Sequence, residues 1–187
     1  MEFSCIKECS QCCIDRQYYP SKTFGKIGVL IMPNEKKKIE KLAKKLNLKI
    51  KIIPRIGASS GKSDGPEQVI AYQLMGKEEN GNTCPFLDTE SEKKSPHGGY
   101  PCRIYQNRPL ACAAYPLLQI NPIILDNHCK FCQEGNESDS NLEEEKEALI
   151  RIQTKMVKPA PIIWRYATGV GDDVDKSEIR KGWIREF

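Results

Sequence analysis

The side chains of this chain best suited to chemistry are its cysteines: Cys5, Cys9, Cys12, Cys13, Cys84, Cys102, Cys112, Cys129 and Cys132. Thiolates are soft ligands, and several close together in sequence concentrate donors for a soft metal at little loop-closure cost. The first group reads Cys5-x3-Cys9-x2-Cys12-Cys13, and the Cys-x2-Cys spacing returns at Cys129 and Cys132. That spacing suits one zinc ion or one iron–sulfur cluster. An odd count of nine fits a disulfide framework poorly, and clustered cysteines in a reducing compartment read as metal-binding or redox-active.

The adjacent pair Cys12-Cys13 carries its own information. Neighbouring side chains diverge, most of all in extended chain, so both are awkward on one small tetrahedral ion. They fit better against two metals or against different atoms of a multi-iron cluster. This favours an iron–sulfur centre, one or two clusters of the 4Fe–4S type, over zinc. Cys84 and Cys102 lie at loop edges and Cys112 on a short predicted helix, so spacing alone supports them less; Cys5 is the candidate spare thiol.

Other signals are weaker. His97 and His128 are the only histidines; His128 abuts Cys129 and is a further candidate donor, but two histidines argue against a His-based triad or hydrolytic zinc site. Gly57 to Ser63 resembles a phosphate-binding loop, yet only three residues separate its glycines and Asp64-Gly65-Pro66 stands where a helix is required. It reads as a loop. Asp172, Asp173 and Asp175 read as a solvated turn.

Taken in order, Cys9-x2-Cys12-Cys13, Cys84-Pro85-Phe86-Leu87 and Cys102-x-Ile104-Tyr105-x2-Arg108-Pro109-x2-Cys112-x2-Tyr115-Pro116 resemble the CxxCxxCC zinc- or iron-chelating family of YkgJ-like cysteine-cluster proteins. The resemblance covers about residues 5–116. It implies that Cys84, Cys102 and Cys112 are ligands. Two positions depart from the family pattern: Ala113 stands where an Arg usually comes after the last motif cysteine, and three residues rather than two separate Cys5 from Cys9. Cys129 and Cys132 fall beyond the motif. Arg108 has two readings: a guanidinium donating hydrogen bonds toward an anionic thiolate-ligated centre, or a pin to backbone carbonyls. Tyr105 and Tyr115 read as core aromatics.

The elements that must position these residues are short. Lys26 to Met32 is apolar enough for a strand, and Pro33-Asn34 can stop it and cap a helix. Ile39, Leu42, Ala43 and Leu46 recur at helical spacing, predicting an amphipathic helix over 35–47. Lys49 to Ile53 and Val69 to Met75 are strand candidates, with a Gly/Ser-rich loop from Gly57 to Pro66 between them. Arg108-Pro109 can open a helix that Pro116 ends. Leu142, Leu149, Ile152 and Met156 lie on one face of a second amphipathic helix over 142–157, with Glu143, Glu144 and Glu145 in its first turn, where the helix dipole favours acids. The expected fold is a small, loop-rich α+β cysteine-cluster domain with two amphipathic helices and a few short strands, organised around a metal centre. Residues 1–135 form the metal-binding part and 136–187 a C-terminal helix and tail packing on the same domain.

Bulk properties bound the role. Only 39% of residues are hydrophobic, and a core this lean gains from a metal staple. The net charge of +4 is too mild for a dedicated nucleic-acid binder; the lysines of Lys36 to Lys38 and Lys44-Lys45 read as a solvated helix face. No signal-peptide pattern stands at Met1 and no apolar run spans a bilayer, so the expected location is cytoplasmic, without membrane partners. The expected functions are electron transfer, redox sensing or metal and sulfur carriage, with an unidentified redox or metal partner. Two alternatives differ in class. One is a cluster-dependent modification enzyme, because some proteins with this motif resemble flagellin lysine N-methylases; this chain shows no recognisable S-adenosylmethionine loop. The other is a structural zinc-binding interaction module.

Overall fold

A helical turn carrying two thiols is the first described element. In the computed structural model, which describes residues 11–14, 28–77, 83–92, 100–129, 142–156, 162–167 and 182–186, this turn is α1 (Gln11–Ile14). After it come β1 (Val29–Ile31), α2 (Pro33–Lys45), β2 (Ile52–Ser59), β3 (Gln68–Leu74), a 3-10 turn (Tyr105–Asn107), α3 (Leu110–Ala114), β4 (Leu117–Gln119), β5 (Ile124–Leu125), α4 (Glu143–Met156), β6 (Ile162–Tyr166) and β7 (Trp183–Glu186). The fold is α+β. A five-stranded antiparallel sheet runs β1-β3-β2-β6-β7, and β4 and β5 form a separate hairpin.

The strand expected over 26–32 is β1, which Pro33 stops. Proline suits the first helical position because that amide has no intrahelical partner, so α2 starts two residues ahead of the expected 35. Met32 N donates to Glu35 Oε2 at 2.9 Å, and Ile39 and Ala43 turn inward to the core. Lys44 and Lys45 occupy its last turn, where the dipole favours cations. Lys37 and Lys38 are exposed, as a solvated face requires.

The loop expected over 57–66 begins later, because β2 runs on to Ser59. Gly57 pairs with Val69 on one side and Trp164 on the other. A side chain there would collide with the Pro66 ring and press on Trp183 at 3.2 Å, so this glycine serves close packing, not a turn. At the strand end, the buried Ser59 Oγ accepts the Trp164 indole N–H at 2.8 Å. Only then does the loop begin, and Ser60 Oγ donates to Glu67 Oε1 at 2.7 Å. The hydroxyl that the phosphate-loop pattern would use, that of Ser63, donates to the Gly65 carbonyl at 2.7 Å.

The α4 helix matches its predicted span within a residue, and Leu142 and Ile152 are buried. Ala148 and Glu145 share that face. α4 packs on α3 and, with β1, β3, Phe86 and Ile104, closes the main core. Among the described residues no helix is long and apolar enough to cross a membrane.

Candidate metal centre

The Cys84-Pro85-Phe86-Leu87 segment is a turn closed by Leu87 N donating to the Cys84 carbonyl at 3.0 Å. Phe86 and Leu87 are its anchors, at 0% and 1% exposure. Leu87 bridges antiparallel to Cys102, and Arg103 N donates to the Phe86 carbonyl at 2.9 Å. On the outer side Arg103 Nη2 grips Asp88 Oδ1 at 2.8 Å. Cys84 and Cys102 are therefore fixed side by side although seventeen residues separate them in sequence.

Two further connections complete the ring of thiols. Cys84 N donates to the Cys13 carbonyl at 2.8 Å, tying α1 to the turn. Glu35 reaches from α2 to accept the Leu110 amide at 2.8 Å through Oε1, while its other oxygen caps α2. One carboxylate thus serves the starts of two helices. Pro109 precedes α3 as its cap residue, and Cys112 N donates to the Pro109 carbonyl at 2.9 Å.

The result is a cavity of about 70 Å³ lined by Cys12, Cys13, Cys84, Cys102 and Cys112. Its apolar wall includes Val29, Leu74, Phe86 and Ile104, and Arg108, Glu145, Tyr105 and Tyr115 also reach it. Cys12 Sγ and Cys13 Sγ are 3.9 Å apart. The expected divergence of this pair is absent because the two residues share a helical turn, not an extended strand. Among the described residues, no three His, Cys, Asp or Glu side chains close in tightly enough to ligate one ion.

The electrostatics are those of crowded thiols. Cys13 is pushed well above the usual thiol range, first by its contacts with the Cys12 and Cys84 sulfurs and then by burial. Burial pushes Cys102 up to about 11, against the opposing pull of a hydrogen bond from the Ile104 backbone and, less, of the Arg108 charge. Neutral thiols are what such a site holds without a cation; a bound metal supplies the charge that lets them ionise. The donor set, soft sulfur in a largely apolar cavity beside one guanidinium, fits zinc or an iron–sulfur centre.

Arg108 makes the backbone pin of its second reading. Its Nη1 donates to the Tyr105 carbonyl at 3.3 Å and its guanidinium stacks 4.3 Å from the Tyr105 ring centre, which pins the 3-10 turn. The same side chain lines the cavity, and its charge acts on both Cys102 and Glu145.

Cys129 is a half-buried thiol that does not line this cavity. His128 holds Asp126 at 3.0 Å with its ring 85% exposed. Cys5, Cys9, Cys132, His97, Asp172, Asp173 and Asp175 lie outside the described residues. Glu145, expected as a first-turn acid favoured by the helix dipole, is buried at 6% exposure, and burial raises its pKa. Its position was readable: it falls three residues after Leu142, on the apolar stripe. Glu35 is a second acid that the cysteine pattern does not bring to the site, although an acid in the third helical position is a standard capping signal.

A family model described as "CxxCxxCC: Putative zinc- or iron-chelating domain" matches residues 4–154. No curated protein and no solved structure matches the chain.

Proposed function

From the premise that the chain belongs to the CxxCxxCC zinc- or iron-chelating family, we propose that its thiol cavity holds an iron–sulfur centre and that the protein transfers electrons or senses redox state. The observation that carries this reading is the spread of the thiols around one cavity. Five cysteines line it, enough for the four thiolates that hold either a zinc or a cluster, yet among the described residues no three donors close on one ion. A centre with several metal atoms takes ligands spread in this way, one to each iron. Its chemistry when bound is one-electron exchange.

The residues of the chain have distinct tasks in this reading. Cys12, Cys13, Cys84, Cys102 and Cys112 supply the ligands. Cys9 joins them by motif, Cys129 and Cys132 by spacing alone as donors to a second centre, and Cys5 is the candidate spare thiol. Arg108 places a fixed cation beside thiolate-bound iron and opposes its net negative charge. Phe86 and Ile104 keep water from one wall. A reducing compartment such as the cytoplasm suits reduced thiols of this kind, and the partner is a redox or metal donor.

Anaerobic purification, then iron, acid-labile sulfide and zinc assays, tests the proposal. The expected product is brown, absorbs in the visible and bleaches on reduction. A colourless protein with stoichiometric zinc would overturn it and leave the second reading, a structural zinc site. One distance favours that reading: ligand sulfurs on a tetrahedral zinc with bonds of about 2.3 Å lie about 3.8 Å apart, close to the 3.9 Å between Cys12 and Cys13.

A further inference from the structure

A second cavity, of about 150 Å³, lies on the other side of α3. Ala111 and Ala114 of that helix wall it, whereas Cys112 faces the thiols; Tyr115 borders both cavities. Leu30, Leu149 and Ile152 make much of the lining. Leu118, at 51% exposure, marks where it opens to solvent.

Two polar side chains break this apolar surface. Arg55 and Gln73 both line the cavity and are each 4% exposed. Gln73 sits on β3, in register with Leu30 and Ile53. Arg55 sits where the β2–β3 register shifts between Pro54 and Ile56. Arg55 is the one charged residue among the described lining residues. Gln73 Oε1 is buried and has no hydrogen-bond partner among the described residues. A buried carboxamide oxygen without a donor costs about 1–3 kcal/mol, so a core strand has reason to exclude it unless something donates to it.

We propose that this cavity is a binding site for a small apolar carboxylic acid bearing a hydroxyl or amine beside its carboxylate. The guanidinium of Arg55 takes the carboxylate. The neighbouring O–H or N–H of the ligand donates to Gln73 Oε1. The hydrocarbon lies against Leu30, Leu149 and Ile152. A dry cavity of about 150 Å³ admits a molecule the size of benzene, which sets the branched aliphatic chain of α-hydroxyisocaproate or leucine as the upper range. The site stands on its own observations and does not depend on which metal the thiols hold.

The probes are α-hydroxyisocaproate, isocaproate and isocaproamide, titrated into the full metal-loaded chain by calorimetry, with methyl NMR reporting on Leu149 and Ile152. Expected is saturable binding of α-hydroxyisocaproate, about tenfold weaker binding of isocaproate, which lacks the donor, and a larger loss for the neutral amide. Arg55→Met is expected to abolish binding, and Gln73→Leu to erase the preference for the hydroxy acid while isocaproate still binds. The ligand comparison on the unaltered chain decides the matter even if a variant does not fold. No binding at millimolar ligand, equal binding of acid and amide, or perturbation confined to other methyl groups overturns the proposal, and would leave ordered water as the partner of Gln73.

Discussion

Glu35 offers the sharpest quantitative test of how the thiols are positioned. Its two carboxylate oxygens accept the amides of Met32 at 2.9 Å and Leu110 at 2.8 Å, residues that are 1% and 8% exposed. Glu35→Ala strands both amides. Each loss of a charge-assisted acceptor costs about 1–3 kcal/mol. The removed first-turn acid adds about 0.3–1 kcal/mol. Because Glu35 itself is half-exposed and water can reach part of the gap, the low end applies, a total of about 2–3 kcal/mol. For a chain of this size that lowers the melting temperature of the metal-free protein by about 5–10 °C. Glu35→Gln keeps one acceptor oxygen and presents an amide NH2 to the other N–H, so its loss is expected to lie between wild type and Glu35→Ala. Leu110 stands two residues before Cys112, so Glu35→Ala also lowers metal occupancy. Calorimetric melts of metal-free chains, paired with metal analysis of loaded ones, read both effects. A change under about 0.5 kcal/mol for Glu35→Ala, or Gln behaving like wild type, would refute the double-cap reasoning.

Four further outcomes rest on the same structure. Cys84→Ser and Cys102→Ser are each expected to lose most bound metal, while Cys129→Ser retains the metal of the thiol cavity; equal loss in all three, measured by elemental analysis, would sink the assignment of the cavity as the centre. Ser59→Ala strands the buried Trp164 N–H and is expected to cost about 1–3 kcal/mol, read by urea melts with tryptophan fluorescence. The Asp88 pKa is lowered, mainly by Arg103, so the pair stabilises the fold above the carboxyl's unfolded-state pKa and that contribution disappears as pH falls through the lower folded value. Urea melts across acidic pH are expected to show wild type and Asp88→Asn converging there; a gap independent of pH would contradict it. Glu145 has the opposite sign: burial raises its pKa, so its charged form weakens the metal-free fold, and Glu145→Gln is expected to melt higher at neutral pH, with the advantage vanishing as pH falls through the raised pKa.

Much of the frame is legible in local pattern, and the remainder depends on contacts between distant residues. Pro33 and the apolar spacing of Ile39 and Ala43 announce α2, because steric and periodic rules act within one turn. The apolar stripe of α4 is equally plain. The thiol cavity itself is implied by motif order, since Cys84 and Cys102 sit on a paired turn. The extension of β2 through Gly57 is invisible locally: a glycine in a Gly/Ser-rich stretch reads as a loop until Pro66 and Trp183 are seen packed against it. The geometry of Cys12 and Cys13 departs from expectation for a related reason, because the choice between helical turn and extended chain there is tied to Cys84 through the Cys13 carbonyl. β6 and β7 join the sheet as strands whose partners lie up to about a hundred residues away in sequence, beyond any window of pattern reading.

The thiols that share one cavity are made far apart in time. Cys13 leaves the ribosome about a hundred residues ahead of Cys112, an interval of about 5–20 s at ordinary elongation rates of roughly 5–20 residues per second. Throughout it the early pair is exposed without the turn that fixes it, able to capture a passing ion or to oxidise. Growth under oxidative or zinc-rich conditions would then determine the occupant before the cavity exists. What the mature protein carries becomes a matter of synthesis history as well as of affinity.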